Sequence, residues 1–524
     1  MTGETKRGFT LYLMFTTMLC GGLVMLLELL GSRVIGPFFG VGLFVWTSLI
    51  AVALVALALG YSVGGWLSDR YRDPAYLYAV ISLAGVLVLC IPVIQAPVLK
   101  ASQQLGLRGG TLFSSLVLFG PSLFLLGFVS PYVVKIAVAE LRAIGKTVGR
   151  FYALSTIGSG VGTLLTGFFL IPWLGVKGIF VFAGALLLAL GAGYFLLFAR
   201  RWVALALLPL PFLISGTDPV LEKTMSDGTR VTLVEGEESY YGRLKVLDYS
   251  YGSQRIRELT IDSLVQGGVD MSSGLSIYGY PYVLQLLPRA LHPAGERALM
   301  IGVGAGIVPR WYSEQGVLTD VVDIDPAVVT MAAEHFDFAT SGDVHIEDAR
   351  YYLRRTRDRY DYLLLDVFSG DSTPGHVLSR EAMALVATRL TPAGVFAANL
   401  VGDLGNDTFV TASIVKTVAA HFDQVELYPT FRVSTDNPSG NYVLVAYNGA
   451  PRHFEPRRVL AGEPLHPFVQ REVAMALTRP YQLPRGAAGL VLTDNYNPIE
   501  FYDVAVREQI RRDILRDSDP DMLL

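Results

Sequence analysis

Six apolar stretches, each about long enough to cross a bilayer as a helix, dominate the first part of this 524-residue chain. A shorter apolar stretch at 202–216 contains Pro209 and Pro211, and it could be a seventh span, a re-entrant piece or an interfacial helix. Residues 1–216 are therefore predicted to form a multi-pass α-helical transmembrane domain of six to seven helices. The six long stretches lie at 9–30, 41–64, 76–98, 111–138, 150–172 and 177–199.

Positive charge predicts the orientation of these helices. Lysine and arginine are richer in alternate loops, beginning with Lys6 and Arg7 before the first stretch and continuing with Arg70 and Arg72 after the second. Cytoplasmic loops carry this excess of positive charge. The N-terminus is therefore expected on the cytoplasmic side.

The composition changes after residue 216, because most of the charged residues follow it. The net charge of −4 does not favour a nucleic-acid partner. The two cysteines, Cys20 and Cys90, both lie in apolar segments, so neither a disulfide framework nor a cysteine metal site is expected. The seven histidines are scattered without a pair at ligand spacing on a helix, so no metal site is predicted.

Two kinds of sheet are predicted in the second half of the chain. Residues 229–268 alternate apolar and polar side chains between turn residues, which predicts a small antiparallel β-domain with its linker at 217–283. Strand and helix signals then alternate through 284–524, which predicts an α/β, doubly wound, Rossmann-type domain. Its strands are expected at 298–303, 318–324, 344–347, 362–366, 395–400, 424–428 and 442–447.

A glycine-rich turn follows the first of these strands. Gly302, Gly304 and Gly306 interrupt an apolar run, and Asp323 ends the next strand. A turn of this kind lets backbone N–H groups and a helix N-terminus approach a ligand, while an acid on the second strand can accept both hydroxyls of a ribose. The pattern predicts a site for a nucleoside-containing cofactor.

Two more acids end the third and fourth strands. An acid after the third strand, Asp348, suits the adenine amino group of S-adenosylmethionine, whereas a nicotinamide-binding domain would not require it. The alternative interpretation is that Asp348 caps the helix that follows. With Asp366 at the end of the fourth strand, the order of acids indicates an S-adenosylmethionine-methyltransferase-like sheet.

Residues 229–450 resemble the spermidine synthase (polyamine aminopropyltransferase) family. The segment 259–266 is similar to the family's LxLDGxxQ, with Asp262 and Gln266 matched, and Gly302–Ile307 is similar to GGGDGG. The segment that begins at Asp366 resembles DSSDP. The late segment 492–500, LTDNYNPIE, resembles the TDDxxPxE ending of membrane-fused members.

The resemblance implies roles for individual residues. Asp366 would be the catalytic base, Asp323 would hold the ribose of the donor and Asp348 its adenine. The remaining contacts to the donor would come from Gln266, Gly302, Gly304 and Gly306. The implied donor is decarboxylated S-adenosylmethionine or S-adenosylmethionine itself.

The departures from the family pattern concern the acceptor and the amine of the donor. Ala305 stands where the family has the acid of GGGDGG, which would neutralise the amine of the decarboxylated donor. The family's DExxYHE has no good match, and Tyr280 in the segment 276–282 is what remains of a substrate-binding stretch. Asp371 is the closest substitute for the second acid of DSSDP.

These observations predict a membrane-bound enzyme that transfers an aminopropyl group from decarboxylated S-adenosylmethionine to a polyamine or other amine. One alternative is an S-adenosylmethionine-dependent methyltransferase acting on a membrane-delivered acceptor. Another is a transporter or sensor with a non-catalytic nucleoside- or polyamine-binding domain.

The expected partners are a small-molecule amine, the lipid bilayer and, from the resemblance, a second copy of the chain. Cofactor supply favours the cytoplasmic side of the inner membrane for the soluble part, which would lie outside the cytoplasm if 202–216 spans.

Overall fold

A computed structural model describes residues 3–40, 42–140, 144–202, 209–215, 221–368 and 373–517. The chain forms two compact units, one of which is Met1–Val220 with Pro520–Leu524, while the other is Leu221–Asp519. The predicted bounds at 216 and 283 stay predictions.

The first unit is helical throughout its regular structure. Among the described residues, five helical stretches are long and apolar enough to cross a membrane: Arg7–Phe39, Leu43–Arg70, Pro74–Leu118, Gly120–Ala137 and Gly145–Leu197. The individual helices are α1 (Gly3–Phe39), α2 (Leu43–Arg70), α3 (Pro74–Ser102), α4 (Gly106–Leu118), α5 (Gly120–Gly127), α6 (Val129–Glu140), α7 (Ile144–Leu165), α8 (Ile171–Leu197) and α9 (Leu210–Ser215).

These stretches differ from the predicted six to seven segments in where the helices break. The predicted stretches 150–172 and 177–199 join in one helical run, which turns at Gly175 with a φ of 63°. The predicted fourth stretch is interrupted at Phe119, just before Pro121, because proline lacks the N–H that would continue the helical hydrogen bonds. Of the shorter stretch 202–216, residues 210–215 form α9, while 203–208 and 216 lie outside the described residues.

Glycines bring α1 and α7 into backbone contact. A Cβ on Gly158 would lie 1.9 Å from the carbonyl oxygen of Met18, and a Cβ on Gly162 would lie 2.6 Å from Cα of Gly22. At these glycines the backbones of the two helices are in direct van der Waals contact, with no side chain between them. Gly158 and Gly162 are therefore used for helix packing.

We expect Gly158→Ala to destabilise the apolar unit, because the added methyl group cannot be placed without separating α1 from α7. Overpacking of this kind costs about 1–3 kcal/mol. Gly160→Ala is the matched control, since Gly160 lies on the same helix with no heavy atom within 4 Å of its added Cβ. Thermal unfolding of the full-length chain in detergent should give a lower Tm for Gly158→Ala only, and equal Tm values would contradict the packing.

The second unit begins with an antiparallel sheet, where the alternating pattern predicted one. Its strands follow chain order across the sheet, from β1 to β5. The sheet also shares a core with the α/β sheet, because Leu244, Val246 and Leu259 are buried among residues of the latter. The strands are β1 (Glu222–Thr224), β2 (Arg230–Glu238), β3 (Arg243–Tyr251), β4 (Gln254–Ile261) and β5 (Leu264–Asp270).

The α/β sheet has seven strands in the order β11-β12-β10-β9-β6-β7-β8, and all seven were predicted. The pairs among β6 to β10 are parallel, whereas β12 is antiparallel to both β10 and β11. This confirms the Rossmann-type sheet. The strands are β6 (Arg297–Ile301), β7 (Leu318–Asp323), β8 (Val344–Ile346), β9 (Tyr360–Leu365), β10 (Leu390–Asp403), β11 (Gln424–Pro429) and β12 (Ser439–Tyr447).

Helices cover the central strands on both faces. Alternate residues of β6 point into two separate apolar clusters, with Met300 in one and Ile301 in the other. A strand buried on both faces explains the continuous apolar run that precedes the glycine turn. The helices are α10 (Gly279–Leu291), α11 (Ile307–Glu314), α12 (Pro326–His335), α13 (Ala349–Arg355), α14 (Arg380–Arg389), α15 (Phe409–Val418), α16 (Pro456–Leu460), α17 (Gln470–Thr478), α18 (Ile499–Tyr502) and α19 (Val504–Asp517).

Candidate active site

The glycine turn connects the end of β6 to the start of α11. Gly302, Gly304 and Gly306 all have positive φ angles, of 89°, 52° and 72°. This left-handed region is favourable for glycine and costly for residues with a Cβ. The strand, turn and helix predicted from the sequence are all present.

The same glycines allow three backbone segments to meet. A Cβ on Gly302 would lie 2.0 Å from the carbonyl oxygen of Asp366, and a Cβ on Gly304 would lie 2.6 Å from the carbonyl oxygen of Gln266. The turn therefore touches both the end of β9 and strand β5. Four of the predicted site residues are brought together by these contacts.

Asp323 is held against the glycine turn from the end of β7. Its Oδ2 accepts the N–H of Val303 at 2.8 Å, and its Oδ1 accepts the N–H of Asp325 at 2.9 Å. Burial raises the pKa of Asp323 to about 6, although these backbone N–H groups favour the charged form. Asp325 has a structural role, because it caps α12 and accepts a hydrogen bond from Ser239 at 2.6 Å.

Asp366 lies at the carboxyl end of β9. Its Oδ1 accepts a hydrogen bond from Nδ2 of Asn399 at 2.8 Å, and Oδ1 of Asn399 accepts one from Nδ2 of Asn441 at 3.0 Å. Burial raises the pKa of Asp366 to about 6, while the bond from Asn399 lowers it. A carboxylate with this pKa is ionised at neutral pH and still basic enough to take a proton. The two asparagines were not singled out from the sequence, because amides inside strands carry no recognisable spacing.

Tyr280, on α10, contacts strand β5. Its hydroxyl donates to the carbonyl oxygen of Gln266 at 3.4 Å. The pKa of Tyr280 is raised well above its usual value by burial and by the negative charge of Asp366. The side chain of Gln266 is turned toward its own strand, where Nε2 donates to Leu264 at 3.2 Å. The predicted acceptor-side tyrosine is thus close enough to the predicted base for its pKa to respond to that charge.

Asp348 is the N-cap of α13, as the alternative interpretation of the sequence proposed. Its Oδ1 accepts the N–H of Tyr351 at 2.9 Å. Its other carboxylate oxygen faces Nε2 of His376 at 3.4 Å. Oδ1 of Asp348 therefore caps the helix. That Oδ2 binds the adenine stays a prediction.

Two further predictions concern residues elsewhere. Asp371 lies outside the described residues. No metal site was predicted, yet the ligand atoms of Glu235, Glu334 and His335 lie within 4.8 Å of one another between β2 and α12. The ring of His335 forms a hydrogen bond with the carboxylate of Glu235, which accounts for this contact without a metal. The pairing joins residues a hundred positions apart, so local spacing could not indicate it.

No family model matches the chain. Among curated proteins it is 27% identical over 411 residues to an N-terminal histidine N-methyltransferase of Emericella nidulans, covering 70% of this chain and 71% of that protein. It is 35% identical over 179 residues to the polyamine aminopropyltransferase of Vibrio vulnificus, covering 32% of this chain and 56% of that protein. It is 24% identical over 440 residues to polyamine aminopropyltransferase 2 of Aquifex aeolicus, covering 78% and 82%.

Two of these alignments extend into the first, helical unit. The Emericella and Aquifex alignments cover more of the chain than Leu221–Asp519 contains. Both therefore include part of the first 220 residues.

Solved structures resemble the chain more distantly. A spermidine synthase in complex with the transition-state analogue AdoDATO is 17% identical with a TM-score of 0.36, covering 50% of this chain and 91% of that chain. Human methyltransferase-like protein 13 in complex with SAH is 22% identical with a TM-score of 0.29, covering 40% and 94%.

We expect Gly302→Ala to weaken donor binding, because its Cβ would displace the end of β9 from the turn. A shift of this size should raise the Kd for S-adenosylmethionine by at least about tenfold, equivalent to about 1.4 kcal/mol. Gly316→Ala is the matched control, since Gly316 has a φ of 76° but an added Cβ meets nothing within 4 Å. Calorimetric titration of both variants separates the steric effect from backbone strain, and equal Kd values would contradict the importance of the contact.

Proposed function

This chain is homologous to polyamine aminopropyltransferases, and we propose that it transfers an aminopropyl group from decarboxylated S-adenosylmethionine to an amine. The observation that carries the proposal is the meeting of the glycine turn, Asp323 and Asp366 at one edge of the sheet. Ligands of open α/β sheets bind at this edge, beyond the carboxyl ends of the strands. We propose a polyamine or another small amine as the acceptor.

The residues at this edge fit a nucleoside. Each carboxylate oxygen of Asp323 accepts one backbone N–H and retains the capacity for another hydrogen bond, which the two hydroxyls of a ribose could supply. The glycine turn leaves the backbone open to close approach. A bound sulfonium donor supplies a carbon that is activated for attack by nitrogen.

Asp366 acts on the acceptor in this proposal. An amine can attack only after losing a proton, and the carboxylate of Asp366 takes it while holding the nitrogen in line. The nitrogen forms a bond to the carbon, the carbon–sulfur bond breaks, and its electron pair remains on a neutral thioether. Tyr280, beside Asp366, walls the acceptor side.

We expect Asp366→Asn to abolish product formation while leaving donor affinity unchanged, because only proton transfer is lost. Loss of a general base lowers kcat by about 10²–10⁴-fold. Since the pKa of Asp366 is about 6, the wild-type rate should fall as the pH drops below about 6, when the carboxyl becomes protonated. Asp361→Asn, at the opposite end of β9, is the control that should keep kcat. A variant at Asp366 with full activity would refute its role as base.

Methyl transfer from S-adenosylmethionine is a second candidate, and Ala305 is the observation that favours it. Ala305 is 2% exposed and apolar, and a Cβ on Gly267 would lie 2.8 Å from its Cβ. No charge at this position can neutralise the amine of a decarboxylated donor. The Emericella relative, whose name states N-methyl transfer to an N-terminal histidine, extends over both halves of the chain.

We expect Ala305→Asp to shift the donor preference toward the decarboxylated form, because a carboxylate at this position would attract the donor's amine and repel a donor carboxylate. The ratio of kcat/KM for the two donors should change by about tenfold, as for other charge-assisted contacts. Ala305→Asn is the matched control, with the same size and no charge. Equal ratios for the two variants would mean that residue 305 does not face the donor's amino end.

We further propose that the protein spans the cell inner membrane several times, with its N-terminus and its α/β unit in the cytoplasm. The apolar helical stretches support the membrane-spanning unit, and the positive loops support the cytoplasmic N-terminus. The cytoplasmic side of the α/β unit rests on cofactor supply and requires an even number of crossings. A homodimer is proposed from the family resemblance. Reaction of single cysteines introduced at exposed positions 240 and 496 with a membrane-impermeant reagent in intact cells would decide the side, because labelling requires an extracytoplasmic α/β unit.

A further inference from the structure

The late segment, 492–500, forms hydrogen bonds with residues 375–381, which follow β9 in the chain. Nδ2 of Asn497 donates to the carbonyl oxygen of Gly375 at 2.8 Å, and the N–H of Asp494 donates to Glu381 at 3.0 Å. The N–H of Arg380 donates to the carbonyl oxygen of Leu492 at 2.8 Å. More than a hundred residues separate the late segment from its partners, so these bonds fix the tertiary position of 375–381.

Asp494 is the centre of these contacts. Its two carboxylate oxygens accept Nη1 and Nη2 of Arg350 at 2.7 and 2.8 Å, and Oδ1 also accepts the hydroxyl of Ser379 at 2.5 Å. The paired bonds match the planar guanidinium and carboxylate and restrict both side chains. The Arg350 side chain is only 12% exposed, so solvent screens the pair less than a surface ion pair.

Arg350 carries this restraint to the donor side of the sheet. Its Nη1 also donates to the carbonyl oxygen of His376 at 3.1 Å. The ring of His376 faces Asp348 at 3.4 Å, and Asp348 begins the helix on which Arg350 lies. A single guanidinium therefore fixes the spacing between the helix of Asp348 and the segment of His376.

We propose that Asp494 is a positioning residue for donor binding, because through Arg350 it holds Asp348 and His376 at the separation that the donor's adenine requires. This inference rests on the proposed function, in which Asp348 binds the adenine. Asp494 itself makes no contact with the reacting atoms in this proposal. Its loss should therefore change donor affinity and leave the chemical step intact at saturating donor.

The chain provides a matched control for the loss of an arginine–aspartate pair. Arg257 binds Asp248 in the antiparallel sheet through Nε and Nη2 at 2.7 and 2.8 Å. Both of these side chains are partly exposed, as are Arg350 and Asp494. Asp248→Asn removes the same kind of interaction without altering the contacts around Asp348.

The test compares Asp494→Asn, Asp348→Asn and Asp248→Asn in the full-length protein. We expect Asp494→Asn to raise the Kd and KM for whichever donor the wild type binds by about tenfold, with kcat at saturating donor within about twofold of wild type. Asp348→Asn should weaken donor binding at least as much, and Asp248→Asn should leave it unchanged. Hydrogen exchange without donor should be faster for amides 375–380 in Asp494→Asn alone.

Several outcomes would overturn the proposal. Wild-type donor affinity in Asp494→Asn, with weakened binding in Asp348→Asn, would mean that the late segment does not position the donor site. A fall in kcat equal to the rise in KM would indicate general damage instead of positioning. A wild-type chain that binds neither donor would overturn the proposed function and this inference together, so the two failures are distinguishable.

Discussion

The contact between residue 302 and the carbonyl of Asp366 is the constraint on which the site depends. The carbonyl oxygen occupies the space that a Cβ on Gly302 would need, so strands β6 and β9 meet at their ends without an intervening side chain. The next glycine of the turn, Gly304, makes the corresponding approach to Gln266 on the antiparallel sheet. Two sheets of different type are thereby joined to one turn of five residues, 302–306.

Buried carboxylates are unfavourable without hydrogen-bond donors, and the backbone supplies most of the donors to Asp323 and Asp366. Asp323 receives two N–H groups from the turn and its own strand end, whereas Asp366 receives one side-chain amide. Burial nevertheless raises both pKa values to about 6. Both carboxyl groups therefore remain ionised at neutral pH, with a smaller margin than exposed carboxyl groups have.

The sequence was sufficient to predict the strands and the glycine turn of the α/β sheet. It was insufficient to predict which side chains form hydrogen bonds with each other. Apolar runs and glycine spacing predicted all seven strands and the turn, because burial on both faces and positive φ angles limit which residues are tolerated. The partner of Arg350 lies 144 residues away, and no local pattern indicates such a pair. Proline and glycine also occur inside unbroken helices of this unit, such as Pro92 in α3, so hydropathy alone could not place the breaks at Phe119 and Gly175. It gave too many separate helices in one place and misplaced a break in another.

The side-chain amides of Asn441 and Asn399 form a chain of hydrogen bonds in which each group donates toward Asp366. Asn441 donates to the oxygen of Asn399, which leaves Asn399 only its NH₂ group to offer to Oδ1 of Asp366. When Asp366 is protonated, the oxygen that accepts the amide N–H is the better carbonyl oxygen, because a carbonyl oxygen accepts hydrogen bonds more strongly than a hydroxyl oxygen. The acidic hydrogen is therefore favoured on Oδ2, and the two oxygens of this carboxyl group are chemically inequivalent before any substrate arrives.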